Sequence, residues 1–140
     1  MNFEILIVDD DPISILITKK IILSRCNIGD SSQVRIFNLP EQGLNFLQKE
    51  LESRTDKTYF ILLDINMPKI DGFQFLDFCN SNFRDLSLHI IMLTSSISKH
   101  HLDLAKSYPL VVSYFTKPFS ASHALELSDI IKKCLSQKFH

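Results

Sequence analysis

Apolar positions along the chain form short runs of two kinds, and the two kinds alternate. Phe3–Val8 is a largely apolar stretch with strand character. Asp9-Asp10-Asp11-Pro12 follows. Asp11 is a good N-cap and Pro12 suits the first helical position. Ile13, Ile17 and Ile21 then recur at helical spacing, with Lys19 and Lys20 off that stripe, and the helix is expected to end between residues 24 and 29. A polar loop at 30–33 leads to a second strand, Val34–Phe37. Pro40 opens a helix with Leu44, Leu47 and Leu51 as its apolar stripe. A third strand is predicted over 59–63, then a loop containing Pro68, then a helix capped by Asp71 with Phe73, Leu76 and Cys79 or Asn80 inward. A fourth strand (88–93), a helix (98–107) and a fifth strand (110–115) come next. The last helix is capped by Ser120 and turns Ala124, Leu127, Ile131 and Cys134 or Leu135 inward.

Strand and helix thus alternate five times, which predicts an α/β fold with a doubly wound parallel sheet and helices on both faces. The strands are apolar runs, as strands covered on both faces must be. With 140 residues, no repeat and no linker-like stretch, the chain reads as a single domain over 1–140. Hydrophobic residues make up 45%, so a packed core is expected.

Fifteen basic residues balance 16 acidic ones, which argues against a nucleic-acid partner. Cys26, Cys79 and Cys134 have neither metal-ligand nor disulfide-framework spacing and read as small hydrophobes in a reducing compartment. No apolar run approaches the ~20 residues of a membrane span, and the N-terminus lacks the basic region of a signal peptide. The expectation is a cytoplasmic protein with no membrane association.

The chemistry gathers at the strand ends. In a parallel sheet, Asp9, Asp10 and Asp11 after the first strand share one edge with Asp64 after the third. Thr94 and Ser95 after the fourth and Lys117 after the fifth join them. Two carboxylates ~4 Å apart repel by about 4 kcal/mol at an effective dielectric near 20. A lysine or a divalent cation relieves that, and hard oxygen ligands suit magnesium. A carboxylate beside such an ion can attack a phosphoryl donor, with a hydroxyl and an ammonium receiving the phosphoryl oxygens. Singly, each residue has a plainer role: Asp11 and Asp71 as caps, Thr94 as a turn residue, Lys117 as a surface lysine. A flavin site is disfavoured by three aspartates where phosphate would bind. A P-loop is absent: Gly29, Gly43 and Gly72 are the only glycines.

Four motifs carry a resemblance: Ile-Leu-Ile-Val-Asp9-Asp10-Asp11, Leu-Leu-Asp64-Ile-Asn66-Met-Pro68-Lys-Ile-Asp71-Gly72, Leu93-Thr94-Ser95 and Tyr114-Phe-Thr-Lys117-Pro118-Phe119. Over its whole length the sequence resembles the receiver domains of two-component response regulators. The resemblance implies the flavodoxin-like strand order 2-1-3-4-5. It implies Asp64 as phosphoacceptor and Mg2+ held by Asp9, Asp10, Asp64 and the backbone carbonyl of Asn66. Thr94 would be the switch hydroxyl, with Ser95 a second hydroxyl beside it. Lys117 would contact the phosphoryl group, Tyr114 would be the rotating aromatic, and the Lys117–Pro118 bond would be cis. Asn66 and Ser96 would flank the path of attacking water and tune phosphoryl lifetime. The implied partners are a histidine kinase or histidine phosphotransfer protein, and a downstream protein bound through the fourth helix, fifth strand and fifth helix. A homodimer is compatible with it. No output domain follows in this sequence, so it resembles the stand-alone receivers, which catalyse only their own phosphorylation and dephosphorylation. The alternative is a degenerate receiver that binds partners without phosphorylation.

Overall fold

The computed structural model describes residues 2–26, 31–95 and 98–137, apart from the side chain of Ser32. In chain order the elements are β1 (Phe3–Val8), α1 (Pro12–Arg25), β2 (Val34–Phe37), α2 (Pro40–Glu52), β3 (Thr58–Leu63), α3 (Gly72–Asn82), β4 (Ser87–Thr94), α4 (Lys99–Lys106), β5 (Val111–Thr116) and α5 (Ala121–Gln137), with one 3-10 turn at Ser31–Gln33 before β2. Each lies within a residue or two of the position expected from the pattern. The five strands form one parallel sheet in the order β2-β1-β3-β4-β5.

Every residue of β1 and β3 is buried, because both strands are interior and covered on both faces. Side-chain alternation sorts the core into two layers. Ile5, Ile7, Phe60 and Leu62 pack with α1 and α5, whereas Leu6, Val8, Ile61 and Leu63 pack with α2, α3 and α4. From β1 the connection leaves toward β2, and from β3 it leaves the other way, toward β4. The loops after these neighbouring strands diverge and leave a crevice between them, at the switch point where α/β sheets bind their ligands.

Capping fixes the helices that rim this crevice. The Asp11 carboxylate accepts the Ile13 N–H (3.0 Å), and Pro12 opens α1. Asp71 and Gln74 form a reciprocal capping box at α3. Ser120 accepts the His123 N–H, while His123 Nδ1 accepts the Ser120 N–H, so a histidine completes the same box at α5.

The inward stripes of α2 and α5 are as expected: Leu44 and Leu47 are buried, as are Ala124, Leu127, Ile131 and Leu135, with Cys134 half-buried. On α3 the pattern overlooked Phe75, which is fully buried beside Leu76 and Cys79. The stripe expected on α1 is corrected. Ile13 and Ile17 face solvent, Ile21 packs against the core as expected, and the buried face is Thr18 and Ile22, backed by Ile15. Between residues 12 and 23 this helix is apolar on all sides, so periodicity could not choose a face; packing against α5 chooses it. The loop expected at residue 30 lies outside the described residues.

That choice buries a hydroxyl. Thr18 is 1% exposed, and its Oγ1 has no hydrogen-bond partner among the described residues. A buried polar group without a partner costs roughly 1–3 kcal/mol. Thr18→Val keeps the shape and the β-branch and removes the orphan, so it should stabilise the fold by about 1 kcal/mol. Urea unfolding measures this, and a destabilised variant would show that the hydroxyl is satisfied in solution.

Candidate functional site: an acidic crevice bridged by a lysine

The alternation that sorts the core continues past the strand ends. Asp9 extends β1, Asp64 extends β3 and Lys117 extends β5, each on the parity that packs toward α1 and α5. The three side chains meet. Lys117 Nζ lies 2.9 Å from Asp9 Oδ2 and 3.3 Å from Asp64 Oδ2. Asp9 is 2% exposed and Asp64 5%. Asp9 also accepts the Asp11 N–H at Oδ1 (2.9 Å) and the Ser14 hydroxyl at Oδ2 (2.8 Å). Asp64 Oδ1 accepts the Asn66 N–H (3.2 Å). Asp10 stands beside them, the most open of the three acids, and one oxygen from each of Asp9, Asp10 and Asp64 falls within 4.8 Å of the others.

Close backbone packing sets the position of Asp64. A Cβ on Gly72 would stand 2.6 Å from the Asp64 carbonyl oxygen and 2.8 Å from Ile65 Cα. Only glycine allows the start of α3 to press against the chain carrying the carboxylate. The Gly72 N–H then donates to the Ile65 carbonyl at 2.8 Å. Between them Lys69 turns through φ 67°, a left-handed conformation unusual for a side-chain-bearing residue.

The electrostatics follow from burial. Burial pushes the Asp64 carboxyl up, the neighbouring Asp9 charge adds to this, and Lys117 only partly opposes it, leaving a pKa of about 6. For Lys117, burial pulls the ammonium down, but the Asp9 and Asp64 carboxylates outweigh that, so its pKa is raised and it is a fixed cation at neutral pH. Two acids and one cation leave the crevice short of positive charge.

The other expected residues sit as follows. Thr94 is fully buried at the end of β4, and its carbonyl accepts the Lys117 N–H (2.9 Å). Ser95 is exposed, and with Asp11, Ser14, Lys117 and Pro118 it lines an open groove of about 340 Å³. Asn66 is exposed in the loop after Asp64. Tyr114 is half-buried on β5, packed against the core layer shared with α2, α3 and α4. The Lys117–Pro118 peptide bond is cis. Ser96 lies outside the described residues. Ser14 on Asp9 escaped the sequence reading, and Gly72, part of the Asp64 motif, was not read as packing behind that carboxylate.

This donor set fits a hard divalent cation of the Mg2+ type: three carboxylates of which only two share a lysine, on an open rim where water can complete the shell.

The model of the response regulator receiver domain matches residues 5–131. The chain belongs to the response regulator receiver family. Receiver domains are phosphoryl-accepting signalling domains that use Mg2+ at an acidic pocket and interact with histidine kinases or phosphotransfer proteins. Comparison with curated proteins gives no match. Among solved structures, a two-component response regulator from Cytophaga hutchinsonii superposes with TM-score 0.81 at 23% identity, covering 96% of this chain and 98% of that one. A CheY-like receiver domain protein from Methanospirillum hungatei gives TM-score 0.65 at 27% identity, again covering 96% and 98%. A two-component response regulator from Legionella pneumophila gives 0.73 at 22%, covering 94% and 98%. No helix among the described residues is long and apolar enough to cross a membrane.

Asp64 holds its proton more tightly folded than unfolded, since its pKa rises from 3.8 to about 6. Between those values the folded chain carries the extra proton, and stability falls as pH rises through the window. Asp64→Asn removes that loss. In chelator at pH 7.5 the variant should exceed the parent by about 1–3 kcal/mol, and the gap should close below about pH 4. Urea midpoints at the two pH values check this; equal midpoints at pH 7.5 would refute the raised carboxyl.

Proposed function

We propose that the chain is a stand-alone receiver in which Asp64 accepts a phosphoryl group from a phosphohistidine. The observation that carries this reading is the Lys117 ammonium, 2.9 Å from Asp9 and 3.3 Å from Asp64. It holds Asp64 in one orientation at the mouth of the crevice, and it is a compact charge that a phosphoryl oxygen can share. An Asp64 oxygen attacks phosphorus, the P–N bond to the imidazole breaks, and the ring nitrogen keeps the bonding pair and takes a proton from water. Asp9, Asp10, Asp64 and the Asn66 carbonyl would hold Mg2+, which when bound offsets the acids' repulsion and the charge of the incoming phosphoryl oxygens.

Thr94 supplies a hydroxyl at the adjoining strand end, and Ser95 a second on the groove. Tyr114, half-buried on β5, is the aromatic that turns inward as Thr94 moves to the phosphoryl oxygens. Moving such an equilibrium from 1:99 to 99:1 requires about 5.5 kcal/mol of differential binding. Asn66, beside Asp64, tunes how long the phosphoryl group survives attack by water.

With Mg2+ and phosphoramidate, intact-mass measurement should show one phosphoryl group on the parent and none on Asp64→Asn. Lys117→Ala should label about 100-fold more slowly, the loss typical of one preorganised charge. Thr94→Ala should label near the parental rate, with the amide shifts of β5 on phosphorylation largely lost. Asn66→Met should keep its label longer. A parent chain that takes no label would instead be a phosphorylation-independent binding module.

A further inference from the structure

The cap of α1 and the acidic crevice share a residue. Asp11 is the N-cap, and its carboxylate accepts the Ile13 N–H (3.0 Å). In a capping box, the side chain three positions after the N-cap accepts the N-cap residue's own N–H. Ser14 holds that position and does not make this bond. The Asp11 N–H donates instead to Asp9 Oδ1 (2.9 Å), and the Ser14 hydroxyl donates to Asp9 Oδ2 (2.8 Å). A crevice carboxylate thus stands inside the helix cap, clasped between the N-cap residue and the first turn.

The clasp decides which oxygen of Asp9 stays open. A carboxylate offers about two acceptor sites on each oxygen. On Oδ2 both are taken, by Ser14 and by Lys117 Nζ at 2.9 Å. On Oδ1 the Asp11 N–H takes one. The site left on Asp9 is therefore on Oδ1. The terminal torsion of an aspartate is broad and two-fold, so the side chain alone does not choose the oxygen it presents. The Asp11 N–H is a single donor, and one donor is served equally well by either oxygen. Lys117 is shared, since its Nζ also lies 3.3 Å from Asp64. Ser14 is the side-chain donor that serves Asp9 alone, and a helix holds it in place.

Resting on the reading of Asp9, Asp10 and Asp64 as the Mg2+ site, we propose that Ser14 is a positioning residue for that ion. Its hydroxyl pins Asp9 so that Oδ1 is the oxygen offered to the ion or to one of its waters. By filling Oδ2 it also limits the hold of Asp9 on Lys117, which leaves the ammonium placed for Asp64. A residue that hydrogen-bonds a metal ligand orients it without touching the ion, and its loss typically costs roughly 10–100-fold in affinity.

Ser14→Val and Ser14→Thr test this, because the two share one branched shape and only threonine carries the hydroxyl. Mg2+ is titrated into each full-length chain without a phosphodonor, and binding is followed by the amide shifts of Asp10 and Asn66. Ser14→Val should bind Mg2+ about 10-fold more weakly than the parent, and Ser14→Thr should bind it nearly as tightly. Labelling by phosphoramidate should need more Mg2+ by the same factor to reach half of its maximal rate in Ser14→Val. Parental affinity in Ser14→Val overturns the proposal, and a lowered urea midpoint in chelator would then show that the hydroxyl serves the helix cap alone. Equal weakening in both variants also overturns it, because shape and not the hydroxyl would then be the cause. A parent whose amides do not respond to Mg2+ overturns the metal reading and this proposal with it. A parent that binds Mg2+ and takes no label counts against Asp64 as phosphoacceptor, while the contrast between valine and threonine still decides the role of Ser14.

Discussion

Two carboxylates buried at neighbouring strand ends set the terms for the rest of the site. Asp9 and Asp64 are both almost fully out of water, and one lysine stands between them. The arrangement is tolerable because each acid has local donors as well: the Asp11 N–H and the Ser14 hydroxyl for one, the Asn66 N–H for the other. It is still one positive charge short, and burial together with the Asp9 charge holds the Asp64 carboxyl at a pKa of about 6. A site completed by its own side chains would have little affinity left for a cation or a phosphoryl group. This one is stable enough to fold and unbalanced enough to bind.

The sheet makes the imbalance possible. Strands β1 and β3 are held in fixed register along their whole length, Phe3 opposite Thr58 through Val8 opposite Leu63. The residues one step beyond, Asp9 and Asp64, therefore inherit a fixed spacing, and the Asp64 N–H bonds the Val8 carbonyl at 3.0 Å. Lys117 arrives from two strands away, carried by β5 through β4. The opposite end of the sheet has a charge cluster of its own, where buried Glu4 pairs with Arg35 and with Lys57 (3.2 Å). There the cations are partly exposed and outnumber the acid, so nothing is left wanting.

Much of this was legible in the residues. Apolar runs ending in Asp9, Asp64 and Thr94 marked strands covered on both faces, the run before Lys117 marked a further strand, and parallel pairing alone brings such ends to one edge. Asp11 and Asp71 were readable as caps because N-cap chemistry is local. The α1 face was not legible: with Ile, Leu or Pro on every side, only contact with α5 decides between Ile22 and Ile13. Nor was Ser14, whose bond to Asp9 depends on how α1 leaves the sheet. Gly72 left a faint signal, a poor helix former at the first helical position right after a good cap. The reason it must be glycine, the approach of the Asp64 carbonyl, is a tertiary fact.

The position of β1 has a consequence for synthesis. Of the five strands of this sheet it is made first, and it lies between β2 and β3 in the finished sheet. Its second neighbour, Thr58–Leu63, is separated from it by the length of α1, β2 and α2. At the usual 5–20 residues per second, the ribosome needs roughly 3 to 10 seconds to deliver it. During that interval the run Phe-Glu-Ile-Leu-Ile-Val has an unpaired edge and uncovered faces. It is short, β-prone and carries a single charge, Glu4, whose cationic partners Arg35 and Lys57 also arrive later. The sheet is thus most adhesive before β3 joins it, and its yield in a cell depends on how well β1 is shielded until then.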